Sequence, residues 1–255
     1  MISALLALAL SPPACAPLPG VEAVLASPAR WIVLGESHGT AESPEAYADL
    51  LCHAGAAHPV VAAVEQFESD QPLIDAWIAS DGGAEAKAAF LKAQMWTTRD
   101  GRSSMASLKL FETLRLLVRA GKVSRVVAFQ PVSTVRMDAA AYEAAMADRL
   151  RAASPDPETR VIVFVGNVHA MLREVRFGPK PYLPAAALLP RDATLTLNIV
   201  SNGGSAWNCT QEGCGAHDQG PSRAILPRGV VLGGDMPWSG AFNLGLATTA
   251  SPPVL

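Results

Sequence analysis

A mostly parallel central sheet flanked by helices, with additional short strands in the C-terminal part, is the α/β fold class that the sequence predicts. Two observations carry this. Four apolar runs, WIVL (31–34), VVAAV (60–64), RVVAF (125–129) and VIVFV (161–165), each end in polar or turn residues. Uninterrupted runs of this length suit strands buried on both faces, as in a parallel sheet. Between them lie helical stretches long enough for crossover connections: SPEAYADLLCHAG, DQPLIDAWIAS, AEAKAAFLKAQ, SSMASLKLFETLRLLVRAG and DAAAYEAAMADRLRAA.

At its start the chain reads MISALLALALSPPACA, the pattern of an export leader. An apolar stretch from Ile2 to Leu10 runs into Pro12-Pro13 and then the small-x-small triplet Ala14-Cys15-Ala16. No Lys or Arg precedes the stretch, which is too short to span a bilayer. Residues 1–16 are expected to be a signal peptide and 17–255 a single domain, placing the protein in the periplasm or outside the cell. A lipid anchor on Cys15 fits less well, because a proline stands in the segment leading to it. Gly121 sits where a helix C-cap belongs, just before the third strand. SPDPET (154–159) is a turn before the fourth strand. After Pro190 the pattern changes to TLTLNIV, GVVLGG and AFNLGL, short strands among glycines, expected as edge strands and loops around a site.

The 255 residues are half apolar and carry a formal charge of −3, with no Lys/Arg-rich run and only 6% aromatics. That gives no footing for nucleic acid and leaves a small-molecule or peptide substrate as the expected partner. Beyond the leader no segment is apolar enough for a transmembrane span. Cys209 and Cys214, in WNCTQEGCGAHD, can close a small disulfide in an oxidising compartment. As zinc ligands with His217 they would lack a fourth donor. Cys52 is left over and expected to be buried.

Residues 35–39 read GESHG. As G-x-S-x-G this is a nucleophile elbow with Ser37 attacking, but an elbow needs an earlier strand–helix loop for its oxyanion hole, and only about thirty residues precede it. As strand-G-x-x-H it presents His38. The second reading is favoured because it recurs: VIVFV-GNVH repeats WIVL-GESH and presents His169. Glycine lets the backbone turn sharply off the strand end. Glu65 and Gln130 end the second and third strands, and in an open parallel sheet ligands bind beyond the carboxyl ends of the strands.

The strand-GESHGTAE segment, the strand-terminal glutamate in VEQFESDQPLIDAWI and the later GNVHA resemble the clan of erythromycin esterases, Tiki metalloproteases and ChaN-like haem-binding lipoproteins. The resemblance covers most of the mature chain in order and implies that Glu36, His38, Glu65 and His169 carry the site. An arginine common in the clan before the Met of YEAAMADRL is absent, with Glu143 nearby instead.

Two imidazoles and two carboxylates at one strand edge support two mechanisms. His38 can act as general base on water, with Glu36 or Glu65 holding its tautomer and His169 or an arginine stabilising the oxyanion. Alternatively His38, Glu65 and His169 can ligate a divalent ion (Mn, Fe or Zn) with open positions for water. Either way an ester or amide is attacked. The other class the resemblance implies is a carrier that binds haem or iron without turnover. WTTRDGRSSMA (96–106) is expected as a substrate loop, with Trp96, Arg99, Asp100, Arg102 and Ser103 ahead of a helix capped by Ser103 or Ser104; Arg102 would bind a substrate carboxylate or phosphate. Glu42 and Glu45 suit the first turn of a helix, and His53 and His58 suit the surface. GGDMPW (233–238) and TTASPP (248–253) could line the mouth of the site.

Overall fold

The computed structural model describes residues 15–132, 137–177, 179–211, 213–222, 224–234 and 237–255. The expected leader therefore lies almost wholly outside the described residues, as do two residues of GGDMPW.

The first half alternates as its periodicity requires: α1 (Val21–Leu25), β1 (Trp31–Glu36), α2 (Glu42–Ala57), β2 (Val60–Phe67), α3 (Gln71–Ala79), α4 (Ala84–Phe90), α5 (Met105–Arg119) and β3 (Arg125–Gln130). Then follow α6 (Ala139–Ala152), β4 (Arg160–Gly166), β5 (Thr194–Val200), β6 (Ser205–Thr210), β7 (Gly213–Asp218), β8 (Gly229–Leu232) and β9 (Gly240–Asn243). Ser104 is the N-cap of α5, its hydroxyl accepting from the Ser107 N–H at 3.2 Å. That helix stops at Gly121, whose φ of 69° is open to glycine. The Lys122 and Gly121 N–H groups return to the carbonyls of Leu117 and Val118, the two bonds of a Schellman motif.

Seven strands form one sheet in the order β3-β2-β4-β1-β5-β9-β8, parallel except for the antiparallel pair β8–β9. TLTLNIV is not an edge strand: as β5 it lies in parallel register against β1. Both outer edges are blunted. The Gln71 side chain bonds Val126 O (2.9 Å) and Ala128 N (2.7 Å) along β3, and Pro19 O accepts from Val230 N (2.8 Å) on β8. Each takes up ladder groups that would otherwise invite another strand.

Alternation across the strands makes two cores. Ile32, Leu34, Ala62, Val64, Leu195 and Leu197 face α1–α5, where Trp77, Phe90, Trp96 and Phe111 stack edge to face or in parallel. Trp31, Val33, Val161, Val163 and Val165 face α6 and the segment from Ala185 to Leu189. With both faces covered, the polar side chains of β1 and β2 are confined to their carboxyl ends.

WNCTQEGCGAHD is not a loop but the antiparallel hairpin β6–β7, with Cys209 directly opposite Cys214 and joined to it. Those sulfurs are thus committed to each other, and His217 bonds the Gly213 carbonyl at 3.2 Å, which removes the zinc arrangement. Cys52 is not left over: it is bonded to Cys15, and His53 holds the Ala16 carbonyl at 2.8 Å. Cys15 belongs to the segment expected as a leader, so the bridge ties that segment to α2. Two disulfides suit an oxidising compartment, and among the described residues no helix is long and apolar enough to cross a membrane. The Cys15–Cys52 bridge closes a separation of 37 residues; Cys52→Ser is expected to cost roughly 3 kcal/mol. The check is a denaturation midpoint that falls in the oxidised variant relative to oxidised wild type, with the two brought closer together once both are reduced.

Candidate active site

The site lies beyond the carboxyl ends of β1, β2, β3 and β4, and its centre is Glu65. The carboxylate is buried, 6% exposed, towards the end of β2. Its Oε2 accepts from the Gly166 N–H at 2.7 Å and its Oε1 from Arg102 Nη1 at 3.3 Å. On either side stands an imidazole: His38 Nε2 is 3.6 Å from Oε2, and His169 Nε2 is 3.8 Å from Oε1.

Each imidazole is held from behind by another buried carboxylate. His38 Nδ1 donates to Glu36 Oε1 at 2.9 Å, and His169 Nδ1 donates to Glu143 Oε1 at 2.7 Å. Glu143, 2% exposed, is itself fixed by the Ala185 N–H on Oε2 at 2.8 Å. The arrangement is two His–Glu dyads whose free Nε2 atoms converge on a third glutamate. In each the Nδ1 partner fixes ring and tautomer, leaving Nε2 to exchange protons.

The glycines of the two G-x-x-H turns make this approach possible. A Cβ on Gly166 would lie 3.0 Å from His38 Nε2 and 3.4 Å from His169 Cδ2, and a Cβ on Gly35 would lie 2.8 Å from both Asn167 Cα and Ala170 Cβ. Asn167 N–H bonds the Glu36 carbonyl at 2.8 Å, which ties the second turn to the first.

Charges set the proton affinities. Burial lowers the His38 pKa, but Glu65 and Glu36 outweigh it and hold the ring above the ordinary 6.5. His169 is likewise raised, burial being overcome by Glu143 and Glu65. Burial would raise Glu65, yet His38, His169 and Arg102 bring it below 4.5. Glu36 stays above 4.5 because burial exceeds what His38 returns. Tyr142, whose ring centroid is 6.1 Å from that of His169, is pushed up to about 12 by burial and by Glu65 and so keeps its proton.

Arg102 holds the site together from the α4–α5 connection. Its Nε donates to Asp100 Oδ2 at 3.0 Å, Nη2 to the same oxygen at 2.5 Å, and Nη1 to Gln130 Oε1 at 2.6 Å as well as to Glu65. The loop that presents it is anchored inside the protein. Asp70 accepts from the Gln94 and Met95 N–H groups, Trp96 is fully buried, and Gln66 Nε2 bonds the Arg102 carbonyl at 3.2 Å.

No protein-family model matches the chain, and neither does any curated protein sequence. Three-dimensional likeness is clear. An erythromycin esterase, the EreC H289N mutant in its open conformation, superposes with a TM-score of 0.61 at 12% identity, over 90% of this chain and 93% of that one. A succinoglycan biosynthesis protein gives 0.63 at 9% identity, over 91% of each chain. The fold is erythromycin esterase-like. It also occurs inside larger proteins: a bacterial protein toxin matches 73% of this chain with a TM-score of 0.51 at 17% identity, and the chain spans 37% of that toxin.

Within this esterase-like fold, Glu36, His38, Glu65 and His169 lie together at one strand edge, with Gln130 beside them. The expected substrate loop divides. Asp100 and Arg102 reach the site. Ser103 is buried and its hydroxyl is turned to the Thr98 carbonyl, Trp96 belongs to the core, and Arg99 is exposed. Arg102 does not present itself to a substrate anion, because its side chain is 15% exposed and bonded to Asp100, Glu65 and Gln130. Ser37 is exposed and its hydroxyl is 3.4 Å from Gln219 Nε2; both nitrogens of His38 face glutamates, so no base serves it. Glu143 is the residue that sequence reasoning passed over. Its only signal was an acidic residue on the buried side of an otherwise ordinary helix.

Among the described residues no group of three or more His, Cys, Asp or Glu side chains is arranged to hold a metal ion. The place such an ion would take is bordered by the Arg102–Glu65 pair, where a fixed guanidinium already supplies positive charge.

Proposed function

We propose that the chain is an exported hydrolase that uses His38 to direct water at an ester or amide carbonyl. One observation carries the reading: two imidazoles, each backed by a buried carboxylate, turn their Nε2 atoms towards a single glutamate held by Arg102.

In this reading His38 Nε2 takes the proton as the water oxygen attacks the carbonyl carbon. Glu36, behind Nδ1, stabilises the imidazolium that forms. His169, protonated at Nε2 and backed by Glu143, steadies the developing oxyanion and gives its proton to the leaving oxygen or nitrogen as the acyl bond breaks. Glu65 keeps both rings basic and at fixed separation, and Arg102 keeps Glu65 ionised.

The convergence of both Nε2 atoms on one carboxylate favours a second reading, in which His38, Glu65 and His169 bind Mn, Fe or Zn. It requires Arg102 to withdraw from Glu65. The test is turnover on a panel of esters and amides before and after exhaustive chelation, with elemental analysis of the same sample. Turnover of at least one ester, changed less than twofold by chelation, is the expected result. Loss on chelation with recovery on adding one metal would transfer the chemistry to the metal reading, and a Soret band on adding haemin would favour the carrier.

A further inference from the structure

We infer that the cavity in front of His38 and His169 receives a hydroxyl- or ammonium-bearing part of the substrate and turns anionic groups away, with Asp100 and Asn208 making the distinction. What is done to the substrate rests on the hydrolase reading; what is bound does not.

The cavity measures about 300 Å³ and is lined by Glu36, Ser37, His38, Asp100, Gly166, Asn167, Val168, His169 and Asn208. No lysine or arginine is among these, and Val168 is the one large apolar side chain. Small-molecule sites run from roughly 300 to 1,000 Å³ and are mostly apolar; this one suits a single polar unit. Of the cations at this end of the sheet, Arg102 is turned inward onto Glu65 and Gln130, and His38 and His169 each already lie between two glutamates. An entering carboxylate or phosphate would meet Asp100 without a guanidinium to pair with, and repulsion of this kind is an ordinary way to exclude a ligand class.

Asp100 is built as an acceptor. Its side chain is 41% exposed, and Arg102 holds it ionised by bonding chiefly to Oδ2. Oδ1 takes only the Arg102 N–H at 3.2 Å, which leaves a lone pair. Asn208 supplies an independent sign: its Oδ1 is buried without a partner, an unfavourable state that a ligand donor reaching it relieves. The residue is held firmly over the site. Trp207 N–H bonds the Gly39 carbonyl at 2.9 Å, and the Trp207 carbonyl oxygen would lie 1.9 Å from a Cβ on Gly39 and 2.5 Å from one on Gly101. Those two glycines, at φ 78° and 96°, flank His38 and Arg102, so the hairpin rests on both site loops. The Cys209–Cys214 bridge fastens the ladder at the next residue.

Methyl glucosaminide, methyl glucoside and methyl glucuronide share one ring and differ in charge. Titrated against the full chain by ligand-observed NMR, the first two are expected to bind and the glucuronide to bind about tenfold more weakly, the size of one unfavourable charge contact. Asn208→Lys is expected to reverse the order of glucosaminide and glucuronide, and Asn208→Leu to weaken the glucoside about fivefold. Glucuronide binding equal to or tighter than the others in wild type, or failure of all three to bind, would overturn the inference whether or not the variants fold. Binding does not depend on turnover. Loss of all hydrolysis with the ligand order intact sinks the hydrolase reading alone, and hydrolysis with the order reversed sinks this inference alone.

Discussion

His38→Ala lowers kcat/KM for a hydrolysable ester by about 10³-fold, the middle of the range for a general base, while the fold survives. The side chain is 23% exposed and touches the rest of the protein mainly through Glu36 and Glu65. Its loss strands Glu36, but that carboxyl already lies above 4.5 through burial and can take a proton, while Glu65 keeps Arg102, His169 and the Gly166 N–H. Glu36→Gln separates base from scaffold. It keeps an acceptor for Nδ1–H and removes a charge that raises the ring. The acid limb of the kcat/KM profile, where His38 loses its proton, then moves to lower pH as the rate falls. Turnover in His38→Ala within twofold of wild type would remove His38 from the reaction, and an unmoved limb in Glu36→Gln would assign that limb to another group.

Much of the fold and half of the site could be read from the sequence, for one reason. Buried parallel strands must be apolar throughout, so WIVL, VVAAV, RVVAF and VIVFV announce themselves, and a polar residue at their ends has nowhere to go but the sheet edge. TLTLNIV was misjudged because its alternating threonines imitate a half-exposed edge strand. In the structure Thr196 is buried and exchanges hydrogen bonds with Ser239, so the alternation reflects a polar contact under a loop. The β6–β7 hairpin was hard to see because its strands are short and interrupted by glycines and polar residues; direct cross-strand pairing and a disulfide support it. The partners of the histidines were illegible for a different reason. Glu36 lies two residues from His38, but Glu143 reaches His169 across 26 positions. Arg102's direction was illegible too, because a sequence shows that a guanidinium is available but not that Asp100, Glu65 and Gln130 already surround it.

Glu65→Leu should be the most damaging single change to stability, about 3–5 kcal/mol, because it removes one member of a buried charge group and leaves the others uncompensated. Arg102 Nη1 and both Nε2 atoms lose their common counter-charge, and the Gly166 N–H loses its acceptor. Glu65→Gln retains an acceptor for Gly166 and should cost less. The pH dependence identifies the mechanism. Because the folded pKa of Glu65 lies below its ordinary 4.5, its contribution is complete above 4.5 and disappears as the pH falls through the folded value. His38 and His169 lie above 6.5, so theirs is complete below 6.5 and disappears as the pH rises through the raised values. Wild type should therefore be most stable between those limits and lose melting temperature on both sides. Since Glu65 sustains the raised imidazoles as well as its own ionisation, Glu65→Leu should flatten both limbs. A melting curve from about pH 3 to about pH 9 reads this directly. If the variant melts like wild type, or keeps both limbs, Glu65 is not the charge on which the two dyads depend.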